Sequence, residues 1–207
     1  MSANLPTPAA ADLRASLVGR LAVVEPLGAE HEPGLLAAAE DAGMFAWMPV
    51  DMTSPEALRA WLSTTLTSAE ADREVPFAIR DARTGEVVGS TRFLELRFEH
   101  LRAEIGWTWV RRSSWSTGIN VETKLLLLSQ AFDQAGLRRV EFKTDARNER
   151  SRGALLALGA SFEGILRKHM VVRDGGPRDS AYFSVIDDEW PALRGRLEHR
   201  VAEHMDR

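Results

Sequence analysis

A mixed α+β fold, in which a mostly antiparallel sheet of seven strands is flanked by helices, is predicted by three observations. Segments of alternating, β-branched character are interspersed with segments whose apolar residues recur every three to four positions. Several of the strand-like segments follow one another across short turns. Finally, the stretch AEIGWTWV at 103–110 runs through a polar loop, RRSSWSTGIN, into a long helical run beginning VETKLLLL.

The elements are read in chain order. Residues 21–27, LAVVEPL, form the first strand. Residues 30–41 and 55–70 read as helices, the second with Leu58, Leu62 and Leu66 on one face. The apolar connector GMFAWMPVDMT joins them. Residues 77–80, 86–96 and 102–110 then make three consecutive strands, rich in residues that suit a pleated, half-buried surface. In the long helix Val121, Leu125, Leu128, Phe132 and Ala135 form one stripe. A strand at 139–144, a short helix at 151–158 closed by Gly159, two strands at 162–172 and 180–186, and a last helix from 189 to about 204 complete the order.

With 207 residues, 44% hydrophobic and 27% charged, the chain suffices for one substantial core. Residues 1–16, rich in Ala and Pro, read as a flexible lead-in to a single domain at 17–207. A net charge of -4 weighs against a nucleic-acid surface. The absence of cysteine removes disulfides, thiolate metal sites and a cysteine nucleophile. The first residues lack a basic segment and an apolar core, and no apolar run nears the ~20 residues needed to span a membrane. These readings point to a cytoplasmic protein without membrane or nucleic-acid partners. His31, His100, His199 and His204 show no ligand spacing, so no metal is expected.

The loop before the long helix carries the chemistry. The first amides of a helix lack internal partners and sit at its positive end, so Ser116 to Val121 can hold a pyrophosphate with main chain alone. There is neither a GxxxxGK[ST] nor a GxGxxG pattern, which sets aside P-loop hydrolases and dinucleotide folds. Gly118 by itself is equally ordinary loop punctuation.

The order of elements, WSTGIN before the long helix, the strand RVEFKTDARN, the segment NERSRGALLALGASFEG and the ending RDSAYFSVIDDEWP together resemble the GNAT N-acetyltransferase superfamily. The branch most similar is that of the RimJ/RimL-type ribosomal-protein alanine acetyltransferases. The resemblance covers about residues 21–191. It implies a sheet splayed between its fourth and fifth strands and an acetyl-CoA-dependent transfer to an amine acceptor, either a small molecule or a peptide N-terminus. The family's pyrophosphate signature falls on Trp115, Ser116, Thr117, Gly118, Ile119 and Asn120, where only Gly118 matches the strict form and Asn120 replaces a small residue. The resemblance also implies that Val121 completes the cradle, that Trp109 and Val110 offer backbone to the pantetheine arm, and that Asn148 hydrogen-bonds this arm. Ser151 would lie near the sulfur and protonate the departing thiolate. Arg111, Arg112, Arg150 and Arg152 can face phosphates or be merely solvated.

The amine must lose a proton before it attacks. Glu104 is the candidate base, since strand alternation puts it on one face with Gly106 and Thr108. The competing reading is a cross-strand ion pair with Arg92 or Arg102. Tyr182, the single tyrosine, and His169 are read as lining the acceptor pocket, with proton transfer a secondary role. Phe45, Trp47 and Met48 of the apolar connector form either a wall of the acceptor cleft or core beneath a loop. Leu193, Leu197 and Val201 make a stripe that packs on the chain's own sheet or on a second copy in a homodimer. Two functions follow: an N-acetyltransferase acting by direct attack in a ternary complex, or a non-catalytic acyl-CoA-binding or interaction module of the same fold.

Overall fold

The computed structural model describes residues 8–206, so residues 1–7 of the expected lead-in lie outside the described residues. Eight strands form one sheet: β1 (Leu17–Val18), β2 (Ala22–Pro26), β3 (Val75–Asp81), β4 (Val87–Arg97), β5 (Arg102–Val110), β6 (Arg139–Asp145), β7 (Ser161–Val171) and β8 (Pro177–Ile186). Their order is β1-β2-β3-β4-β5-β6-β8-β7. The strand beyond the seven expected is β1, which pairs Leu17 and Val18 with Val24 and Val23 at the sheet edge. Two residues are too short a run for alternation to register in the sequence.

Among the described residues six α-helices accompany the sheet: α1 (Ala10–Leu13), α2 (Glu32–Ala38), α3 (Pro55–Glu70), α4 (Ile119–Ser129), α5 (Glu149–Leu158) and α6 (Trp190–Met205). Within the expected lead-in, Ala10–Leu13 form helix α1, whose Ala10 and Leu13 are buried in the main core. The expected helix at 30–41 is shorter, a 3₁₀ turn at Ala29–His31 leading into α2. Helix α3 begins as its sequence demands: Ser54 caps it, accepting from the Ala57 N–H, and Pro55 occupies the first turn.

The two sheet faces are covered differently. On one, α4, α5 and α6 bury Leu127, Leu128, Leu155 and Leu193 against Phe77, Phe93, Ile105, Phe142 and Phe183. On the other, α2, α3 and the connector bury Phe45, Leu58 and Trp61 with Trp109. Leu193, Leu197 and Val201 of α6 all enter the chain's own cores, which decides between the two uses of that stripe. Among the described residues no helix is long and apolar enough to cross a membrane.

All strand pairs are antiparallel except β5 and β6, which are parallel and meet only at Arg102↔Arg139, Ala103↔Val140 and Glu104↔Glu141. Beyond Glu104 the fourth and fifth of the expected strands therefore diverge. The rest of β5 remains bonded to β4 alone, up to Gly89↔Val110.

Candidate functional site

The divergence of β5 from β6 opens a split with a lysine on each face. On the α2–α3 face, Lys143 Nζ lies 2.9 Å from Glu104 Oε2. Glu104 is only 2% exposed. Burial pushes its carboxyl up, while Lys143 opposes that rise. The expected ion pairs of Glu104 with Arg92 or Arg102 are not made: Arg92 is bound by Glu74 at 2.7 Å and Arg102 by Glu141 at 2.9 Å. A Cβ on Gly106 would come within 2.8 Å of Glu104 Oε1, so the carboxylate lies along β5 on Gly106's side.

Thr108, by contrast, is not on that face. Between Ser90↔Trp109 and Arg92↔Gly106 two residues of β5 oppose Thr91 alone, and Trp107 takes φ 52°. This bulge reverses the alternation. Thr108 Oγ1 therefore faces α4, where it accepts from Lys124 Nζ at 2.6 Å and contacts Thr91 Oγ1 at 2.8 Å. Lys124 is 6% exposed, and its ammonium stands 5.8 Å from the Phe142 ring centre, on β6. Burial brings its pKa down to about 7. Neither this lysine nor its threonine partner stands out in the sequence, where Lys124 sits among helix-forming residues.

The loop at the end of β5 leads to an uncapped helix. Gly118, with φ 89°, is the N-cap of α4, and no side chain caps that terminus. A Cβ there would meet Leu21 Cδ1 at 2.7 Å and His204 Cβ at 2.8 Å, so glycine is required by both conformation and space. The other left-handed residue is Ser116, φ 62°, and not Asn120, which lies exposed in the first turn. Ile119 is fully buried and Val121 half-buried, while Thr117 donates to the Ser114 carbonyl at 2.8 Å. Trp115 Nε1 donates to the Val110 carbonyl at 2.7 Å, tying the loop to the strand. Glu122 anchors the helix from below. Its buried carboxylate accepts from the amides of Arg20, Leu21 and Ala22 at 2.9, 2.6 and 2.7 Å.

Two guanidinium groups converge on the Trp115 ring, that of Arg150 at 3.1 Å and that of Arg112 at 4.9 Å from its centre. Arg112 is also paired with Asp41. Arg111 instead pairs with Glu86 at 2.7 Å. Arg152 departs from the sequence reading: it donates to the Ala146 carbonyl at 3.0 Å and lies over Phe162. Successive arginines on α5 point to different sides of the helix, and only Arg150 faces the α4 loop. Asn148 caps α5, its Oδ1 accepting from the Ser151 N–H at 3.1 Å.

On the far side of the split, His169 Nδ1 contacts Ser180 Oγ at 3.1 Å, and Tyr182 OH contacts His169 Nε2 at 3.3 Å. Burial, with Lys143 and Arg178 nearby, pushes the His169 imidazole down. Tyr182 is the register partner of Lys143, which brings this pair beside Glu104. The connector contributes less than the sequence suggested. Phe45 is fully buried, edge-on to Trp109 at 5.3 Å, so it backs the cleft wall and cannot line it. Trp109 is likewise buried and offers the split only its main chain. Trp47 is 40% exposed, with the Arg147 guanidinium 5.2 Å from its ring centre, and Met48 is half-buried against the cluster that holds Phe45 and Trp109.

The chemistry of these groups suits an extended anionic ligand. A split strand presents unpaired backbone to an extended arm, and an uncapped helix start flanked by two guanidinium groups accepts phosphates.

The chain matches the Acetyltransferase (GNAT) domain family over residues 21–161. It is 29% identical over 136 residues to the uncharacterized N-acetyltransferase YoaA of Bacillus subtilis (strain 168), covering 66% of this chain and 76% of that protein. The crystal structure of a GCN5-related N-acetyltransferase from Brucella melitensis superposes with a TM-score of 0.85 at 31% identity, covering 95% of this chain and 87% of that one. Mycobacterium smegmatis RimJ in complex with CoA-disulfide shares the fold, with a TM-score of 0.78 at 22% identity, covering 91% and 96% of the two chains. The family match spans most of the chain, including the split and the helix start, and the chain therefore belongs to the GNAT acetyltransferases and is an acyltransferase.

Proposed function

We propose that this chain transfers the acetyl group of acetyl-CoA to a primary amine by direct attack within a ternary complex, the whole of 17–207 acting as one catalytic domain. The observation that carries the reading is the three-pair junction of β5 and β6 beside the uncapped start of α4. The main chain of Ser116 to Val121 cradles the pyrophosphate, with Arg112 and Arg150 beside it. The backbone of Trp109 and Val110 pairs with the pantetheine arm, and the free amide group of Asn148 adds a hydrogen bond.

In the reaction Glu104 takes a proton from the ammonium, directly or through water, and the free amine attacks the thioester carbonyl carbon. A C–N bond forms as the C–S bond breaks; Ser151 delivers its proton to the thiolate and regains one from the acylated nitrogen, which leaves the neutral amide and the free thiol. Backbone N–H groups of β5 beyond Glu104 polarise the carbonyl. A carboxyl whose pKa is raised by burial is suited to this task near neutral pH. Trp47, Met48, His169 and Tyr182 border the acceptor, which is a small amine or a peptide N-terminus.

Calorimetric titration with acetyl-CoA, followed by thiol release against a panel of amines and peptide N-termini, tests the reading. Saturable binding and acceptor-dependent release support it. Binding without release across the panel would favour an acyl-CoA-binding module, and no binding would remove both.

A further inference from the structure

We infer that Arg178 anchors a carboxylate of the acceptor, so that the amine acetylated by this enzyme belongs to a molecule carrying its own acidic group. The inference rests on the acetyltransferase reading above and adds the acceptor's chemistry to it.

The position of Arg178 follows from the sheet. Arg178, Ser180, Tyr182 and Ser184 alternate along β8 with Ala181, Phe183 and Val185, which enter the main core. Arg178 therefore shares Tyr182's face, the one that also carries Lys143 and Glu104. Strand β7 bends over this face. Between Leu166↔Ser180 and Met170↔Arg178 three residues of β7 oppose Asp179 alone, and Lys168 takes φ 50°. The Lys168 amide donates to Asp179 Oδ1 at 2.7 Å, which fixes the bulge and turns His169 inward to Ser180 and Tyr182. The acetyl-accepting side of the split is thus bounded by Glu104, Lys143, Tyr182, His169 and Arg178.

Within this group Arg178 alone has no protein counterpart. It is 7% exposed, and its Nε is buried without a hydrogen-bond partner. Among the described residues no carboxylate oxygen lies within 4.0 Å of its guanidinium; Lys143 is taken by Glu104. The carboxylate that acts most strongly on Arg178 is Asp145, but both of its oxygens already accept from Arg147, at 2.9 and 2.8 Å. Arg92, the other deeply buried arginine among the described residues, also has an unpartnered Nε, but its two terminal nitrogens are held by Glu74 at 2.7 Å and Thr65 at 3.2 Å, whereas Arg178 has neither contact.

A buried guanidinium without a counter-ion is costly to keep, and the planar fork of donors it presents matches a carboxylate in bidentate fashion. Burial depresses the Arg178 guanidinium, which a bound anion would reverse. An acceptor holding its amine at Glu104 and its carboxylate at Arg178 is fixed at two points, as in-line attack requires. The carboxylate can be the α-carboxylate of a free amino acid or an acidic side chain near a peptide N-terminus.

Matched acceptor pairs test this with the unaltered enzyme. One set pairs alanine, methionine, phenylalanine and glutamate with their carboxamides. The other pairs C-terminally amidated peptides carrying Asp or Asn at the second position. The carboxylate member of at least one set should show kcat/KM higher on the order of 100-fold. Preference confined to the first set assigns the α-carboxylate, and preference confined to the second assigns the peptide side chain. In Arg178→Gln the ratio should collapse towards one while the acetyl-CoA Kd is unchanged, with Arg178→Lys intermediate. Equal use of both members, no turnover of any pair by protein that binds acetyl-CoA, or a ratio retained in a folded Arg178→Gln enzyme would each overturn the assignment. Failure of acetyl-CoA to bind would instead defeat the acetyltransferase reading beneath it.

Discussion

Glu104 and Lys143 face each other across the point where β5 and β6 part, 2.9 Å between Oε2 and Nζ. The pair joins two strands that share no further backbone pairing beyond it. Burial raises the Glu104 carboxyl and Lys143 restrains that rise. Lys143→Met should therefore move the acid limb of the kcat/KM profile to higher pH, since the remaining carboxyl holds its proton longer. Glu104→Gln should lower kcat by about 10²–10⁴-fold with acetyl-CoA affinity intact. An unchanged rate in Glu104→Gln would exclude it as the base.

Arg150 and Arg152 are neighbours but one residue in sequence, yet only Arg150 reaches the Trp115 ring. Arg150→Ala should weaken acetyl-CoA binding by roughly 10-fold at low salt, less at high salt as phosphate contacts are screened. Arg152→Ala should leave Kd alone and lower Tm. Titrations of both variants at two ionic strengths decide it, and equal effects would count against Arg150 as the phosphate contact.

Gly118→Ala adds strain at φ 89° and sets a Cβ against Leu21 and His204. Gly85→Ala, at φ 74° with open space around it, adds the strain alone. Strain of this kind costs about 1–2 kcal/mol, so Gly118→Ala should lose more Tm than Gly85→Ala and also weaken acetyl-CoA binding. Matching melting curves and Kd values would mean the helix start tolerates a side chain.

Glu122 holds three amides of the β1–β2 turn. Glu122→Ala leaves them buried without acceptors, at a cost of about 3 kcal/mol or more. For a chain of this size that is a Tm drop of roughly 6–12 °C, readable by calorimetry. Glu122→Gln, which keeps one acceptor oxygen, should fall between.

Lys124 titrates at about 7 in the fold against an ordinary 10.5. Between those values the unfolded chain binds more protons, so this group's contribution to stability rises with pH across that window and is lost as pH falls through 7. Lys124→Met removes the penalty for burying the ammonium. It should raise stability at pH 6 by up to about 4–5 kcal/mol, with the advantage shrinking towards pH 10. Melting curves at both pH values that differ from wild type by the same amount would show that Lys124 is not desolvated as described.

The architecture is legible in the sequence because it is written in local periodicity. The stripes of α3 and α4, the alternation of β4 and β8, and the WSTGIN turn each need only near neighbours to be recognised. The family resemblance rests on the same local segments in the same order. What escaped was short or non-local. Strand β1 is two residues long and exists by pairing with β2. The Trp107 bulge depends on how β5 registers against β4, and it moved Thr108 from Glu104's face to that of Lys124.

Charge partners were the least legible of all. Glu104 pairs with Lys143, 39 positions away, in preference to the arginines the sequence offered, Arg92 on β4 and Arg102 on its own strand, because β6 lies beside β5 and projects that lysine across the split. The triple acceptor role of Glu122 and the missing counter-ion of Arg178 likewise arise from elements distant along the chain. Side-chain periodicity is a property of each element alone and can be read from a string of residues. Burial and ion pairing are properties of elements in contact, settled only once strand order, register and bulges bring them together.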